Sequence, residues 1–264
     1  MGDDLKSIIT GQIKRDALIS SLKNGKRFDE RKPLDIRKAE ITTGVISTAE
    51  GSALVKMGKT QVLVGVKLGI ATPFPDRLDE GIIITSAELL PVASPYFEPG
   101  PPSEQSIELA RVVDRGIRSA EVIDLKKLFV EEGKVISIYI DIYTLDHGGN
   151  LIDAAALAAI AALKSARMPK IEGGKLLYKE SVGKLDVSGS PVSTTFIKTG
   201  DYWLVDPLLD EEYAAETKIT IATTDTHVCA IQKSFGSLTK KEFLELIDIA
   251  FKKGNELRAQ LNDL

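Results

Sequence analysis

Cysteine is almost missing from this chain. Cys229 is the only one in 264 residues, which excludes an intrachain disulfide framework and a cysteine-built zinc site. Its apolar neighbours Val228 and Ala230 suggest a packed structural thiol. Histidine is nearly as scarce: His147 and His227 leave little for a histidine metal cluster or a Ser-His-Asp triad. Neither sign of charge dominates. Lys+Arg 34 against Asp+Glu 38 gives a formal charge of -4, so no global basic field announces a nucleic-acid binder. Any such contact needs a local cluster or a partner chain. Long apolar runs are lacking too, since the richest, Leu151 to Leu163, is alanine-heavy and too short to cross a bilayer. The acidic start, Met1-Gly2-Asp3-Asp4, has no apolar segment behind it, so no secretory leader is expected and the cytoplasm is the expected compartment. Nor is there a P-loop, a GxGxxG, an HExxH or a nucleophile elbow.

What is present is material for a large core, with 43% hydrophobic and 27% charged residues. Leu5, Ile8, Ile9, Ile13, Leu18 and Leu22 fall near helical spacing and predict an amphipathic helix over 4–22, stopped by Asn24-Gly25. Strand periods follow at 36–48, 52–58, 60–71 and 81–90. Pro99-Gly100-Pro101-Pro102 breaks regular structure, and Ser103 caps a helix running to about Ala120. Over 135–145, Ile136, Ile138, Ile140 and Ile142 share one face of a strand, ahead of a buried alanine-rich helix over 151–167. A loop or hairpin spans 170–190, then strands near 191–198, 202–206, 216–224 and 227–233, then a closing helix over 239–262. Strands precede helices in both halves. That is an α+β layout with possible internal duplication, not a doubly wound sheet.

The helix over 103–120 carries two faces. Ile107, Ala110, Val113 and Ile117 form an apolar one; Glu104, Glu108, Arg111, Arg115 and Arg118 form a charged one. Such a face is either a solvated stripe of supporting pairs, Glu108 with Arg111 for example, or a row of guanidinium forks suited to phosphate oxygens. Asp206, Asp210, Glu211 and Glu212 offer oxygen ligands for magnesium, or an ordinary acidic turn. The basic loop Lys26, Arg27, Arg31 and Lys32 serves RNA or merely solvates a surface. His147 reads as a turn histidine bonded to backbone.

Several of these segments, in order, resemble the RNase PH family, and within it the non-catalytic subunit of the archaeal exosome ring. They are Arg27-Phe28-Asp29-Glu30-Arg31, the strand–turn–strand from Gly51 to Thr60, Glu98-Pro99-Gly100-Pro101-Pro102 with Ile107 to Arg118, and Val205 to Glu212. The resemblance implies an RNase PH fold of two similar β-α halves, like ribosomal protein S5 domain 2. It divides the chain into an N-terminal helix and basic loop (1–30), a first domain (31–168) and a second (190–258). It also implies a hexameric ring with a paired catalytic homologue, a trimer of heterodimers topped by RNA-binding cap proteins. Such rings shorten RNA from its 3′ end by phosphorolysis and add tails in reverse.

By the same resemblance this chain is not itself an enzyme. Active members carry an aspartate on the strand after the acidic turn, and Thr217 stands where it is expected. They also open the buried helix with a phosphate-binding Gly-Ser/Thr-Arg turn, which here reads Gly149-Asn150-Leu151. The expected roles are therefore RNA phosphate contacts by Arg111, Arg115, Arg118 and Arg31, with no catalytic residue, metal or cofactor of its own. Phosphate and magnesium belong to the partner's site. The competing readings are an active homohexameric RNase PH, a scaffold without RNA contact, and a small-molecule phosphorylase.

Overall fold

A computed structural model describes residues 2–262, with side chains for 13–261. Helix α1 (Gly2–Lys23) ends at Asn24-Gly25, where Gly25 takes the left-handed turn at φ 74. Leu18 and Leu22 are buried against Ile197, Leu204 and Ala214 of the second half. Ile13, expected on that apolar face, is instead exposed. Leu5, Ile8 and Ile9 lie outside the described side chains.

The first sheet is six-stranded and built from β1 (Ala39–Thr43), β2 (Gly51–Met57), β3 (Thr60–Ala71), β4 (Ile82–Leu89), β5 (Phe129–Glu131) and β6 (Lys134–Asp146). Its order is β1-β2-β3-β6-β4, with β5 paired to β6. All pairs are antiparallel except β4 with β6, which the crossover through α2 (Glu104–Ser119) joins in parallel. The alternation in β6 sends all four isoleucines inward. β1 is shorter than the strand expected over 36–48, because Arg37 leaves the ladder to enter a buried polar cluster described below.

Helix α3 (Leu151–Ser165) runs behind this sheet, buried without interruption from Ile152 to Leu163. Its alanines let backbones approach closely. At Gly51 a Cβ would lie 2.3 Å from the Ala162 carbonyl oxygen, so only glycine fits where β2 crosses the helix. The hairpin of β7 (Arg167–Glu172) and β8 (Lys175–Lys184) links the halves. The second sheet has order β10-β9-β11-β12, all antiparallel: β9 (Val192–Thr199), β10 (Tyr202–Val205), β11 (Thr217–Thr223) and β12 (Val228–Phe235).

Three elements were invisible in the periodicity: a 3-10 turn at Leu125–Leu128, the short strand β5, and the five-residue helix α4 (Leu209–Tyr213) in place of a plain acidic turn. Helix α5 (Lys240–Asn262) packs Leu246 and Ala250 on Phe196, Ile219 and Ile221 of the second sheet. A capping box opens it. Glu242 N–H donates to Thr239 Oγ1 at 3.3 Å and Thr239 N–H to Glu242 Oε2 at 2.7 Å.

Candidate functional site

Ser103 starts α2 by accepting the Ser106 N–H at 3.2 Å. The helix then packs on β4, α3 and β12, and burying three sides widens its apolar stripe to Leu109, Val112 and Gly116. Ile107, expected inside, stands exposed at the overhanging first turn. On the outer face, Glu108 does not pair with Arg111. Its carboxylate accepts from Ser234 Oγ (2.8 Å) and Gln232 Nε2 (3.0 Å) of β12, and Gln232 Oε1 in turn receives Arg115 at 3.5 Å. Arg111 is exposed and makes no hydrogen bond or ion pair among the described residues. Arg118 bonds Asp114 at 2.7 Å and the Ile83 carbonyl. The row therefore holds one uncommitted guanidinium, one loosely held and one tethered.

Beside α2 lies a cleft of about 90 Å³, lined by Gln105, Glu108, His147, Leu151, Ile152, Glu212 and Lys218. It opens at the N-terminus of α3, where phosphate would be held if a phosphate turn were present. Strand alternation on β11 decides which side chain reaches it. Ile219 and Ile221 face α5, so Lys218 faces the cleft and its ammonium sits 2.6 Å from Glu212 Oε1. Thr217 points to the α5 side and donates to the Ser237 carbonyl at 3.0 Å. The expected equivalence of Thr217 with a catalytic aspartate is therefore corrected: the residue directed into the cleft is Lys218. Periodicity counted from Ile219 would have revealed it. His147 stacks on Phe97 with ring centres 5.4 Å apart, and its backbone N–H donates to Ala93. Burial holds its imidazole below the usual pKa, and its buried Nδ1 has no hydrogen-bond partner among the described residues.

The turn before α3 is committed to packing. The backbone of 207–209 crosses Gly149 so closely that a Cβ there would be 2.3 Å from Leu209 N. Asn150 follows at φ 57, and its Nδ2 donates to Asp153 (2.7 Å) and to Asp206 (2.8 Å). It offers nothing to an anion from this side chain.

Asp206 is the centre of a buried charge cluster. Arg37 donates to both its oxygens, at 2.6 and 2.9 Å, and Arg31 reaches Oδ2 at 3.0 Å. Burial alone would raise the Asp206 carboxyl, but Arg37, Arg31 and Asn150 hold it below the usual carboxylate range. Arg27, 2% exposed, places all five N–H groups: two on Glu211 and one each on the carbonyls of Asp35, Val205 and Asp206. Arg31 makes four such bonds, to Asp29, Asp206 and the Asp35 and Asp206 carbonyls. This corrects the expectation that Arg31 serves RNA phosphate, since its guanidinium is engaged internally. The acidic run is likewise occupied: Asp206 and Glu211 by these arginines, Asp210 by Lys14 at 2.6 Å, Glu212 by Lys218. Among the described residues no group of three or more His, Cys, Asp or Glu is placed to hold a metal ion. No helix among them is long and apolar enough to cross a membrane.

Residues 35–169 match the 3′ exoribonuclease family, domain 1 (RNase PH), and residues 189–253 match domain 2 of the same family. Over 257 residues the chain is 49% identical to the exosome complex component Rrp42 of Pyrococcus abyssi, covering 95% of this chain and 94% of that protein. The Rrp42 of Archaeoglobus fulgidus is 48% identical over 258 residues, covering 96% and 97%. In three dimensions the chain matches one from the Archaeoglobus fulgidus exosome with RNA bound to the active site (TM-score 0.87, 49% identity, 96% and 99% covered). It also matches one from an archaeal exosome core (TM-score 0.86, 45% identity, 99% and 100% covered). Rice Rrp46, at 16% identity and TM-score 0.67 over 89% of this chain, shares the fold. With both halves matched in sequence and the whole chain matched in structure, this protein belongs to the RNase PH family of 3′ exoribonucleases.

Proposed function

We propose that this chain is an Rrp42-type subunit of an exosome, a complex that degrades RNA from the 3′ end, and that it contributes RNA contacts and shape without carrying out the chemistry. Its near-full-length likeness to archaeal Rrp42 supports the assembly. One observation supports the non-catalytic role. In the cleft at the head of α3, the strand that should present a carboxylate presents Lys218, neutralised by Glu212. A carboxylate there would hold a metal or take a proton; an ammonium paired at 2.6 Å does neither. The turn that should cradle phosphate is closed over by 207–209.

The partner in this reading is a catalytic RNase PH-like homologue, three pairs of which close into a ring carrying RNA-binding cap proteins. Phosphate and magnesium belong to that partner's site, and the complex works in the cytoplasm. Arg111 and Arg115, exposed on α2, are the groups of this chain that hold RNA phosphates near the 3′ end. The test is phosphate-dependent shortening of a 5′-labelled poly(A) strand by this chain alone, by the homologue alone, and by the mixture. Strong activity confined to the mixture is the expected result. Release of nucleoside diphosphates by this chain alone would overturn the reading of Lys218.

A further inference from the structure

The sequence is net acidic, yet one groove concentrates cations. At the far end of α3 from the Lys218 cleft, the β1–β2 loop and the β7–β8 hairpin enclose about 690 Å³ of open space. Lys67, Arg167, Lys179 and Lys184 line it, with Glu50 as the single carboxylate. Glu50 is already satisfied, by Lys67 at 2.8 Å and by the Leu68 N–H at 2.8 Å. The side chains of Arg167, Lys179 and Lys184 make no ion pair or hydrogen bond among the described residues.

The register sharpens this. Arg167 and Lys184 are direct cross-strand partners of the hairpin. Like charges directly opposite repel and weaken a strand pair, so the arrangement is unfavourable unless an anion lies between them. Next to them Tyr178 is 59% exposed, yet its ring is held: its hydroxyl donates to the Leu68 carbonyl at 3.2 Å, and the Lys67 ammonium lies 5.1 Å from the ring centre. A fixed aromatic ring beside unpaired cations, with serine and threonine hydroxyls around it, suits single-stranded nucleic acid, where bases stack and phosphates pair.

We infer that this groove is a second RNA-backbone site, set apart from the α2 arginines, which holds single-stranded RNA upstream of its 3′ end. The choice of RNA as the polyanion rests on the function proposed above; the cationic groove does not. The experiment is fluorescence anisotropy of a 5′-labelled oligo(A) with the full-length chain over rising salt. It compares wild type, the pair Arg167→Glu and Lys184→Glu, the milder pair Arg167→Gln and Lys184→Gln, and Arg111→Glu. The charge-reversed pair is expected to weaken binding by about tenfold, and to reduce the slope of log affinity against log salt by about 1.4, two phosphates at roughly 0.7 each. The glutamine pair falls between, and its melting temperature equals or exceeds wild type because the repulsion is gone. Wild-type affinity and slope in both folded pairs would overturn the inference. So would retained RNA binding with lost binding of polyglutamate, which makes the groove a seat for an acidic protein. If only Arg111→Glu weakens binding, this groove is refuted and the proposed function stands; if only the groove variants do, the α2 assignment falls instead.

Discussion

Arginines of the N-terminal loop and arginines of α2 look alike in the sequence, and the fold uses them in opposite ways. Arg27, Arg31 and Arg37 are folded inward onto Asp206, Glu211 and a set of carbonyls, with nearly every N–H accounted for. Arg111 and Arg115 stand on an exposed helix face, and among the described residues the one side-chain hydrogen bond that either makes is the 3.5 Å approach of Arg115 to Gln232. A guanidinium becomes structural when a carboxylate at long sequence distance meets it under cover. It stays available for a ligand when the nearby carboxylates have been claimed. On α2 that claimant is β12, which removes Glu108 from Arg111.

The comparison breaks most directly at Arg27. Removing one partner of a buried ion pair leaves an uncompensated charge, which costs about 3–5 kcal/mol. Arg27→Ala is therefore expected to lower the thermal midpoint by about 10 °C in a chain of this size. Arg27→Lys should rescue little, because a point charge cannot serve Glu211 and three carbonyls together. A calorimetric melt within 2 °C of wild type, on the scale of about 2–4 °C per kcal/mol, would remove the structural half of the contrast.

The same cluster contains a carboxyl with the opposite electrostatic fate. Asp153 is buried near Asp206, and desolvation raises its pKa to about 7 despite hydrogen bonds from Asn150 and Thr195. Below about pH 4 both folded and unfolded chains hold that proton; between about 4 and 7 only the folded chain does. Stability from this group thus falls as pH rises across that window, by about 2–4 kcal/mol. Asp153→Asn keeps the shape, accepting from Asn150 and the Thr195 N–H through its oxygen and donating to Thr195 Oγ1. The difference in midpoint between variant and wild type should therefore grow in the variant's favour from pH 4 to 7. A constant difference would place the titration elsewhere.

Much of this was legible in advance because periodicity reports burial. The isoleucines of β6 and the alanines of α3 could hardly lie anywhere but inside. Elements shorter than two periods, such as α4 and the turn at Leu125–Leu128, gave no such signal. At the site, position along the chain placed α2 and its arginines correctly on an exposed face. It could not assign partners, because Arg31 with Asp206 and Glu108 with Ser234 are joined only across sequence separations of 175 and 126. Thr217 and Lys218 show the finest limit: adjacent residues on a strand face opposite sides, so a one-residue shift in alignment reverses the chemistry assigned to a cleft.

On the exposed side of the contrast, Arg115→Ala should leave folding within about 0.5 kcal/mol of wild type, as surface substitutions do. In the assembled complex it should weaken RNA binding several-fold across all sequences, with a flatter salt dependence. Equal affinity and equal slope would return α2 to a merely solvated stripe.

Arg118 lies between the two classes and gives the smallest expected effect. Its guanidinium is held by Asp114, one turn earlier, and by the Ile83 carbonyl, but it remains at the surface. An exposed i,i+4 pair contributes about 0.3–0.5 kcal/mol, so Arg118→Ala should shift the melting midpoint by about 1–2 °C. Reaching a phosphate would mean giving up Asp114, and that competition should make its effect on RNA affinity smaller than that of Arg111→Ala. Adding Asp114→Ala releases the tether. If Arg118 is restrained rather than misdirected, Asp114→Ala should tighten RNA binding, and tighten it less once Arg118 is also alanine. Equal gains in both backgrounds would mean that only the lost negative charge matters, and that Arg118 belongs with the structural arginines.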